Sequence, residues 1–205
     1  MNKIKTLLLT LGIVCTFTCY AQEEFFGHNT GISVSGSSDF STNNSADLSL
    51  YFKNGLFLSG SLLLFHGGLE TPTIATIGYL FDLNKRNKEN KLNAYVSLSE
   101  ISKIPGLSES FRSISPTLGI MFTSFQNHNY PTSLGLSASA YLEDLDFKDL
   151  DRSTFSLYFA QAFFAKNTVY PVVGLTYSIP FSDTYRSDGL FQFHVGLNIR
   201  LSKAE

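Results

Sequence analysis

The chain has 205 residues, a formal net charge of −2 at pH 7, and charged side chains at only 16% of its positions. Soluble domains carry about 25% charged residues, so part of this protein's surface must be covered by something other than charge. The mildly acidic balance, without a basic stripe, argues against nucleic acid as a partner.

The first 21 residues have the three zones of a secretory signal peptide. Lys3 and Lys5 form a basic start, residues 7–14 form an apolar run, and residues 19–21 place small side chains at the −3 and −1 positions. The apolar run is shorter than the roughly 20 residues that a membrane-spanning helix needs, so a retained anchor is the weaker interpretation. We therefore expect export, cleavage after Ala21 and one mature domain over residues 22–205.

The two cysteines, Cys15 and Cys19, both lie in this leader. A lipid-modified start at Cys19 is the alternative to cleavage after Ala21, although residues 16–18 lack the aliphatic and small side chains usual before a lipidated cysteine. Cleavage after Ala21 leaves a mature chain without cysteine. A disulfide framework, a thiolate metal site and a thiol nucleophile are then excluded together.

Ten segments rich in β-branched, aromatic, serine and glycine residues follow the leader, separated by turn-forming clusters, and this pattern predicts β-strands. The predicted strands are 30–37, 46–53, 55–65, 73–82, 92–98, 114–125, 133–142, 154–164, 170–179 and 190–201. After the leader, no apolar run approaches the length of a membrane-spanning helix. Low charge without long apolar runs favours strands that hide an apolar face at every second position.

Alternation is clearest in the last predicted strand. One face carries Phe191, Phe193, Val195, Leu197, Ile199 and Leu201, and the other carries Gln192, His194, Gly196, Asn198 and Arg200. The sixth and seventh segments repeat the pattern. The eighth leaves its register open, because Phe155, Leu157 and Phe159 oppose a face that also contains the apolar Tyr158 and Ala160.

The polar faces are small, being rich in serine, glycine and threonine, which suits the inside of a narrow closed barrel. A soluble β-sandwich would instead place charge on its water face. Ten residues at about 3.3 Å each, tilted by roughly 40°, cover about 25 Å, the height of an outer-membrane apolar band. We predict an all-β fold, a single closed antiparallel transmembrane β-barrel of ten strands, or of eight if two weak segments are loops.

The leader, the cysteine-free mature chain, the alternating segments and the closing strand resemble the small outer-membrane β-barrel proteins of Gram-negative bacteria. The resemblance implies location in the cell outer membrane, contact with outer-membrane lipid and insertion by the outer-membrane assembly machinery. In that family the last strand commonly ends on an aromatic residue, whereas Leu201 holds that place here. Turns on the periplasmic side are usually short, and the basic turn at residues 84–91 departs from this rule.

Three charged residues are predicted to lie at one end of the barrel. Arg200 is on the inward face of the last strand, and Asp82 and Lys53 end the fourth and second predicted strands on the same side. Because charges inside a barrel are expected to pair, we predict a small ionic cluster of Lys53, Asp82 and Arg200. The alternative is that the three side chains sit in interfacial water.

Two connections have patterns of their own. The acidic run at residues 143–151 could offer oxygen ligands to a divalent cation, but it lacks the glycine and terminal glutamate of a calcium-binding loop, so a solvated loop is the preferred interpretation. Ile101, Ile104, Leu107 and Phe111 recur at helical spacing in the longest loop, which predicts either a short amphipathic helix or an irregular loop that packs its own apolar residues.

No catalytic constellation is apparent, since an enzyme needs a nucleophile, a base and an orienting group within reach. His194 is the one histidine predicted to face inward from mid-strand, and Gly196 stands where the serine of a His-x-Ser pairing would be. We expect no enzymatic activity, no cofactor and no metal. The expected role is structural or in surface interaction, and the alternative is a narrow channel or small-ligand carrier. A lipid-modifying enzyme and a soluble exported β-protein are less favoured.

Overall fold

The structure is a computed structural model that describes residues 30–38, 43–65, 73–87, 89–101, 113–140, 142–143, 153–181 and 190–201. Ten strands form one antiparallel sheet. They are β1 (Gly31–Ser38), β2 (Asn43–Tyr51), β3 (Leu56–Phe65), β4 (Thr73–Asp82), β5 (Asn90–Ile101), β6 (Ser113–Ser124), β7 (Thr132–Ser139), β8 (Thr154–Ala162), β9 (Val169–Pro180) and β10 (Leu190–Arg200). Each strand pairs with the next, and β1 pairs with β10, so the sheet closes. The prediction of a closed ten-stranded antiparallel barrel is confirmed.

A proline explains a break in the seventh strand. Leu142 and Glu143 pair with β6 in the same register as β7, so they continue that strand after a short interruption. Pro116, opposite the break, accepts a hydrogen bond from the Ala140 amide at 3.0 Å but has no N–H to return. The Ser115 hydroxyl donates to the Ala140 carbonyl at 2.8 Å instead.

The register sets the tilt of the strands. The row of direct partners that starts at Gly31, the first residue of β1, climbs across the sheet to Pro180, the last residue of β9. Summed over the ten strand interfaces, the registers amount to an offset of twelve residues around the barrel. With strands about 4.8 Å apart, this offset corresponds to a tilt of about 40° and a backbone radius of about 10 Å.

Four connections, at residues 52–55, 83–89, 125–131 and 163–168, lie at one end of the barrel, which we call the turn end. The first and last described residues of the chain lie there as well, since the Leu201 amide donates to the Thr30 carbonyl at 2.9 Å. Gly55 closes the first turn with φ of 93°. A side chain there would overlap the Leu80 carbonyl, so the turn requires glycine.

The connections at the opposite end, the loop end, are mostly outside the described residues. The predicted helix lies outside the described residues except for Ile101, which ends β5, and the acidic run at 143–151 lies outside them except for Glu143. The leader at 1–21 is also outside the described residues. No α-helix within the described ranges is long and apolar enough to span a bilayer.

Side chains alternate along every strand as the sequence predicted. Outward apolar residues are exposed, for example Leu118 at 64% and Val195 at 49%, while inward serines and threonines are buried. The open register of the eighth predicted strand is resolved: Phe155, Leu157 and Phe159 point outward and Tyr158 points inward. A continuous apolar belt therefore surrounds a polar wall, which is the arrangement required of a barrel in lipid.

The fifth strand is longer than the predicted 92–98. It runs to Ile101, and the inward Ser99 hydroxyl lies 2.8 Å from the Thr76 hydroxyl on β4. This cross-strand pair supplies a partner for a serine that lies one residue beyond the end of the predicted strand.

Candidate functional site

The turn half of the barrel interior is filled by large side chains. Tyr51 is the last residue of β2, and Phe57 and Tyr170 are each the second residue of their strands, so these rings lie near the turns. Seven inward side chains in this half are no more than 4% exposed: Tyr51, Phe57, Leu80, Tyr95, Met121, Tyr158 and Tyr170. We call this set the aromatic plug.

Three rings of the aromatic plug are placed by glycines. Phe57 is the direct partner of Gly78, Tyr95 of Gly119 and Tyr158 of Gly135. In each pair a Cβ atom on the glycine would overlap the ring. Each aromatic side chain therefore occupies the volume left by the missing side chain of its partner, which stabilises the strand pair and pins its register.

Hydroxyl groups line most of the remaining wall. One row of direct partners crosses six consecutive strands with a hydroxyl at every position: Ser33, Ser49, Ser59, Thr76, Ser99 and Ser115. All six side chains are buried. Small hydroxyl residues allow the opposite walls of a barrel of this radius to approach closely, and they keep the interior polar without charge.

Directly opposed hydroxyls bond to each other across the strands. Five such pairs have oxygen–oxygen distances of 2.7–3.0 Å: Ser37 with Ser45, Thr76 with Ser99, Thr117 with Ser139, Thr123 with Ser133, and Ser156 with Ser178. A hydroxyl that is both donor and acceptor satisfies a neighbour of the same kind. These pairs satisfy part of the interior wall, whereas the hydroxyls of Ser33 and Ser137 and the amide of Gln192 are buried without a hydrogen-bond partner among the described residues.

Two titratable side chains lie in this wall away from the turns. His194 is 2% exposed, and its Nε2 lies 2.9 Å from the Thr176 hydroxyl. Asp47 is 4% exposed and accepts a hydrogen bond from the Ser45 hydroxyl at 2.9 Å. Because Ser37 is the direct partner of both His194 and Ser45, the carboxylate and the imidazole lie along one hydroxyl-lined band of the wall.

The three residues of the predicted ionic cluster lie at the turn end, as expected from their positions. Asp82 forms an ion pair with Lys91 at 2.8 Å and also accepts the Asn84 amide at 3.0 Å. Arg200 donates to the Ala165 carbonyl at 3.0 Å, and its guanidinium carbon lies 5.6 Å from the centre of the Tyr170 ring. Lys53 lies in the exposed turn at 52–55. A cluster joining the three remains a prediction.

Sequence reasoning did not identify the ring-filled turn half, or Lys91 as the partner of Asp82. The sequence showed the glycines as part of a small polar face. Their aromatic partners could be identified only once the strand register was known. In chemical terms the described interior away from the turns offers hydroxyls, buried amides such as that of Gln192, the imidazole of His194 and the carboxylate of Asp47. Within the described ranges, no three histidine, cysteine or acidic residues are placed to hold a metal ion.

No protein-family model matches the sequence, and no curated protein sequence matches it either. Among solved structures, the KdgM porin is similar with a TM-score of 0.47 and 12% identity, covering 84% of this chain and 99% of that one. The NanC porin has a TM-score of 0.47 and 9% identity, covering 84% and 100%. The outer membrane enzyme PagL has a TM-score of 0.35 and 12% identity, covering 82% and 99%.

The closed ladder, the apolar belt and the small polar interior together give this chain the fold of an outer-membrane β-barrel. The predicted all-β architecture, a closed antiparallel barrel with an apolar outer face, is confirmed.

Proposed function

We propose that this protein is a non-conducting outer-membrane β-barrel with a structural or surface-interaction role. In this proposal the turn end faces the periplasm, the leader directs export, and the assembly machinery inserts the barrel. The loops at the opposite end then face outward and carry any interaction. No catalytic activity is proposed.

The aromatic plug is the observation that carries this proposal. Phe57, Tyr95 and Tyr170 are each no more than 1% exposed. Ions and solutes cross a barrel through water-accessible space, and a backbone radius of about 10 Å leaves little of it once rings extend inward. Closing the turn half favours a scaffold over an open pore.

Ion conductance across planar lipid bilayers tests the proposal. The native barrel is expected to show no steady single-channel current, whereas a variant that removes rings, Phe57→Ala with Tyr95→Ala, is expected to conduct. Heat-modifiable gel mobility establishes that each variant is folded. A steady current through the native barrel, equal to that of the ring-deleted variant, would contradict the proposal.

A narrow channel or small-ligand carrier is the second candidate, and the hydroxyl-lined wall favours it. Serine and threonine, together with Gln192 and His194, line the described interior beyond the aromatic plug, and the carboxylate buried there is that of Asp47. Such a wall suits uncharged polar solutes better than anions. Swelling of liposomes in neutral sugars, at a rate above that of protein-free liposomes, would support this candidate over the first.

A lipid-modifying enzyme and a soluble exported β-protein remain the less favoured alternatives. Lipid A mass spectra with and without the protein test the first. Retention of a native monomer in buffer without detergent tests the second, since the exposed belt, with Leu118 at 64% and Phe191 at 58%, should aggregate in water.

A further inference from the structure

The lipid-facing side of β4 to β8 contains a concave apolar surface. Its volume is about 800 Å³, and its lining includes the outward apolar side chains of Val96, Leu118, Ile120, Leu134, Leu136 and Leu157. We call it the lipid-side groove. The concavity is broad and largely open, and its apolar lining matches an apolar occupant that lies against the belt.

The lipid-side groove extends to the turn end of the barrel. Phe81, which lines it on β4, is one residue from the end of that strand, and Phe122 lines it near the end of β6. Toward the loop end the lining reaches Phe155 on β8. The lining therefore extends from the turn end of β4 to the loop end of β8, so its turn-end half lies at the depth of the turn-side leaflet.

A basic turn lies at the end of this groove. The turn at 83–89 joins β4 to β5, the two strands that contribute Phe81 and Ala94 to the lining. Lys85 and Arg86 are both exposed in it. This is the basic stretch that is unusually long for the turn side of a barrel.

Two asparagines and one backbone bond order the turn. Asn84 accepts the Leu92 amide at 2.7 Å and donates to the Asn90 carbonyl at 2.7 Å. Asn87 accepts the Glu89 and Asn90 amides at 3.0 and 2.9 Å. The Phe125 amide donates to the Glu89 carbonyl at 2.6 Å, which ties the turn to the end of β6. Lys85 and Arg86 are thus held next to the groove by a preorganised turn.

We propose that the lipid-side groove and the basic turn together bind one anionic glycerophospholipid of the turn-side leaflet. The acyl chains would lie against Val96, Ile120 and Leu136, and the phosphate would be bound by Lys85 and Arg86 at the membrane surface. The apolar wall matches hydrocarbon, and basic residues at the end of a membrane segment attract anionic head groups. A second copy of the chain is a poorer occupant, because two barrels joined at this face in one membrane would bring their basic turns together.

Native mass spectrometry of the detergent-solubilised barrel tests the proposal, with palmitoyl-oleoyl phosphatidylglycerol as the anionic probe and the matching phosphatidylcholine as the neutral one. The native barrel is expected to bind phosphatidylglycerol more tightly. Lys85→Gln with Arg86→Gln should remove this preference, a loss of roughly tenfold in affinity. The matched control is Lys53→Gln with Lys166→Gln, which removes two exposed cations from other turns at the same end and should keep the preference.

The groove is tested separately. Ala138 lines the groove, so Ala138→Phe fills it and is expected to weaken the binding of both lipids. Ala46→Phe, on the exposed face of β2, should weaken the binding of neither. Gel mobility shows that each variant is folded. Equal affinity of the native barrel for the two lipids, equal loss in the two glutamine double variants, or a dimer that excludes lipid from this face would each overturn the proposal.

Discussion

The ring of Tyr95 occupies the space that a side chain on Gly119 would need, and the two residues are direct partners across β5 and β6. The same relationship joins Phe57 to Gly78 and Tyr158 to Gly135. The residues that close the turn half of the interior are thus also the residues that fix the pairing of three strand interfaces.

Gly119→Ala is expected to destabilise the barrel by about 1–3 kcal/mol, because the added methyl group forces the buried Tyr95 ring out of its place. Urea unfolding in detergent micelles, followed by gel mobility, measures the loss. Gly60→Ala is the matched control, since the nearest atom to its new methyl group is the Ile74 carbonyl oxygen at 4.0 Å. Equal losses in the two variants would contradict the prediction.

The hydroxyl pair of Thr117 and Ser139, 2.7 Å apart and buried, should behave as a coupled unit. Thr117→Val leaves Ser139 without this partner and is expected to cost about 1–2 kcal/mol. Adding Ser139→Ala should cost less in that background than in the native protein. The free energies of unfolding of the two single variants and the double variant give the coupling, and strict additivity would show that the hydrogen bond contributes nothing.

The ion pair of Asp82 and Lys91 should be more costly to break than an exposed pair, because the Asp82 side chain is only 3% exposed and that of Lys91 20%. Lys91→Met leaves a buried carboxylate without its cation, and we expect a loss of about 2 kcal/mol. Adding Asp82→Asn to this variant should recover part of the lost free energy of unfolding. A Lys91→Met variant as stable as the native barrel would show that water already solvates Asp82.

Arg200→Ala tests the predicted ionic cluster at the turn end. The variant loses the hydrogen bond to the Ala165 carbonyl and the contact with the Tyr170 ring, so we expect a loss of about 1–2 kcal/mol. Arg200→Lys keeps the positive charge but not the planar donor group. Comparing it with Arg200→Ala therefore distinguishes the contribution of the charge from that of the hydrogen-bond geometry. Unchanged melting temperature together with unchanged conductance in Arg200→Ala would rule out a functional cluster.

Alternation with a period of two was enough to predict the strand number and the orientation of most side chains. Phe191, Phe193 and Val195 face outward and Gln192 and His194 inward, as predicted from their spacing alone. The physical reason is that lipid favours apolar side chains and the barrel interior favours small polar ones, so successive residues of a strand must differ. A one-residue slip in register would therefore reverse every side chain.

The features that depend on cross-strand partners were not predictable in the same way. Tyr158 is apolar enough to belong to either face, and its inward position follows from Gly135 on the neighbouring strand. The end of β5 depends on Thr76, and the pairing of Asp82 with Lys91 depends on the ordered turn between them. Each is a relationship across strands that local spacing does not contain.

The opposed hydroxyls of the interior have a further consequence. In the pairs Thr76 with Ser99 and Thr117 with Ser139, either oxygen can be the donor. Two proton arrangements of nearly equal energy are thus compatible with one set of heavy-atom positions. A wall of serine and threonine retains this rotational entropy on folding. A wall of amides or ion pairs would lose it, because their donors and acceptors are distinct.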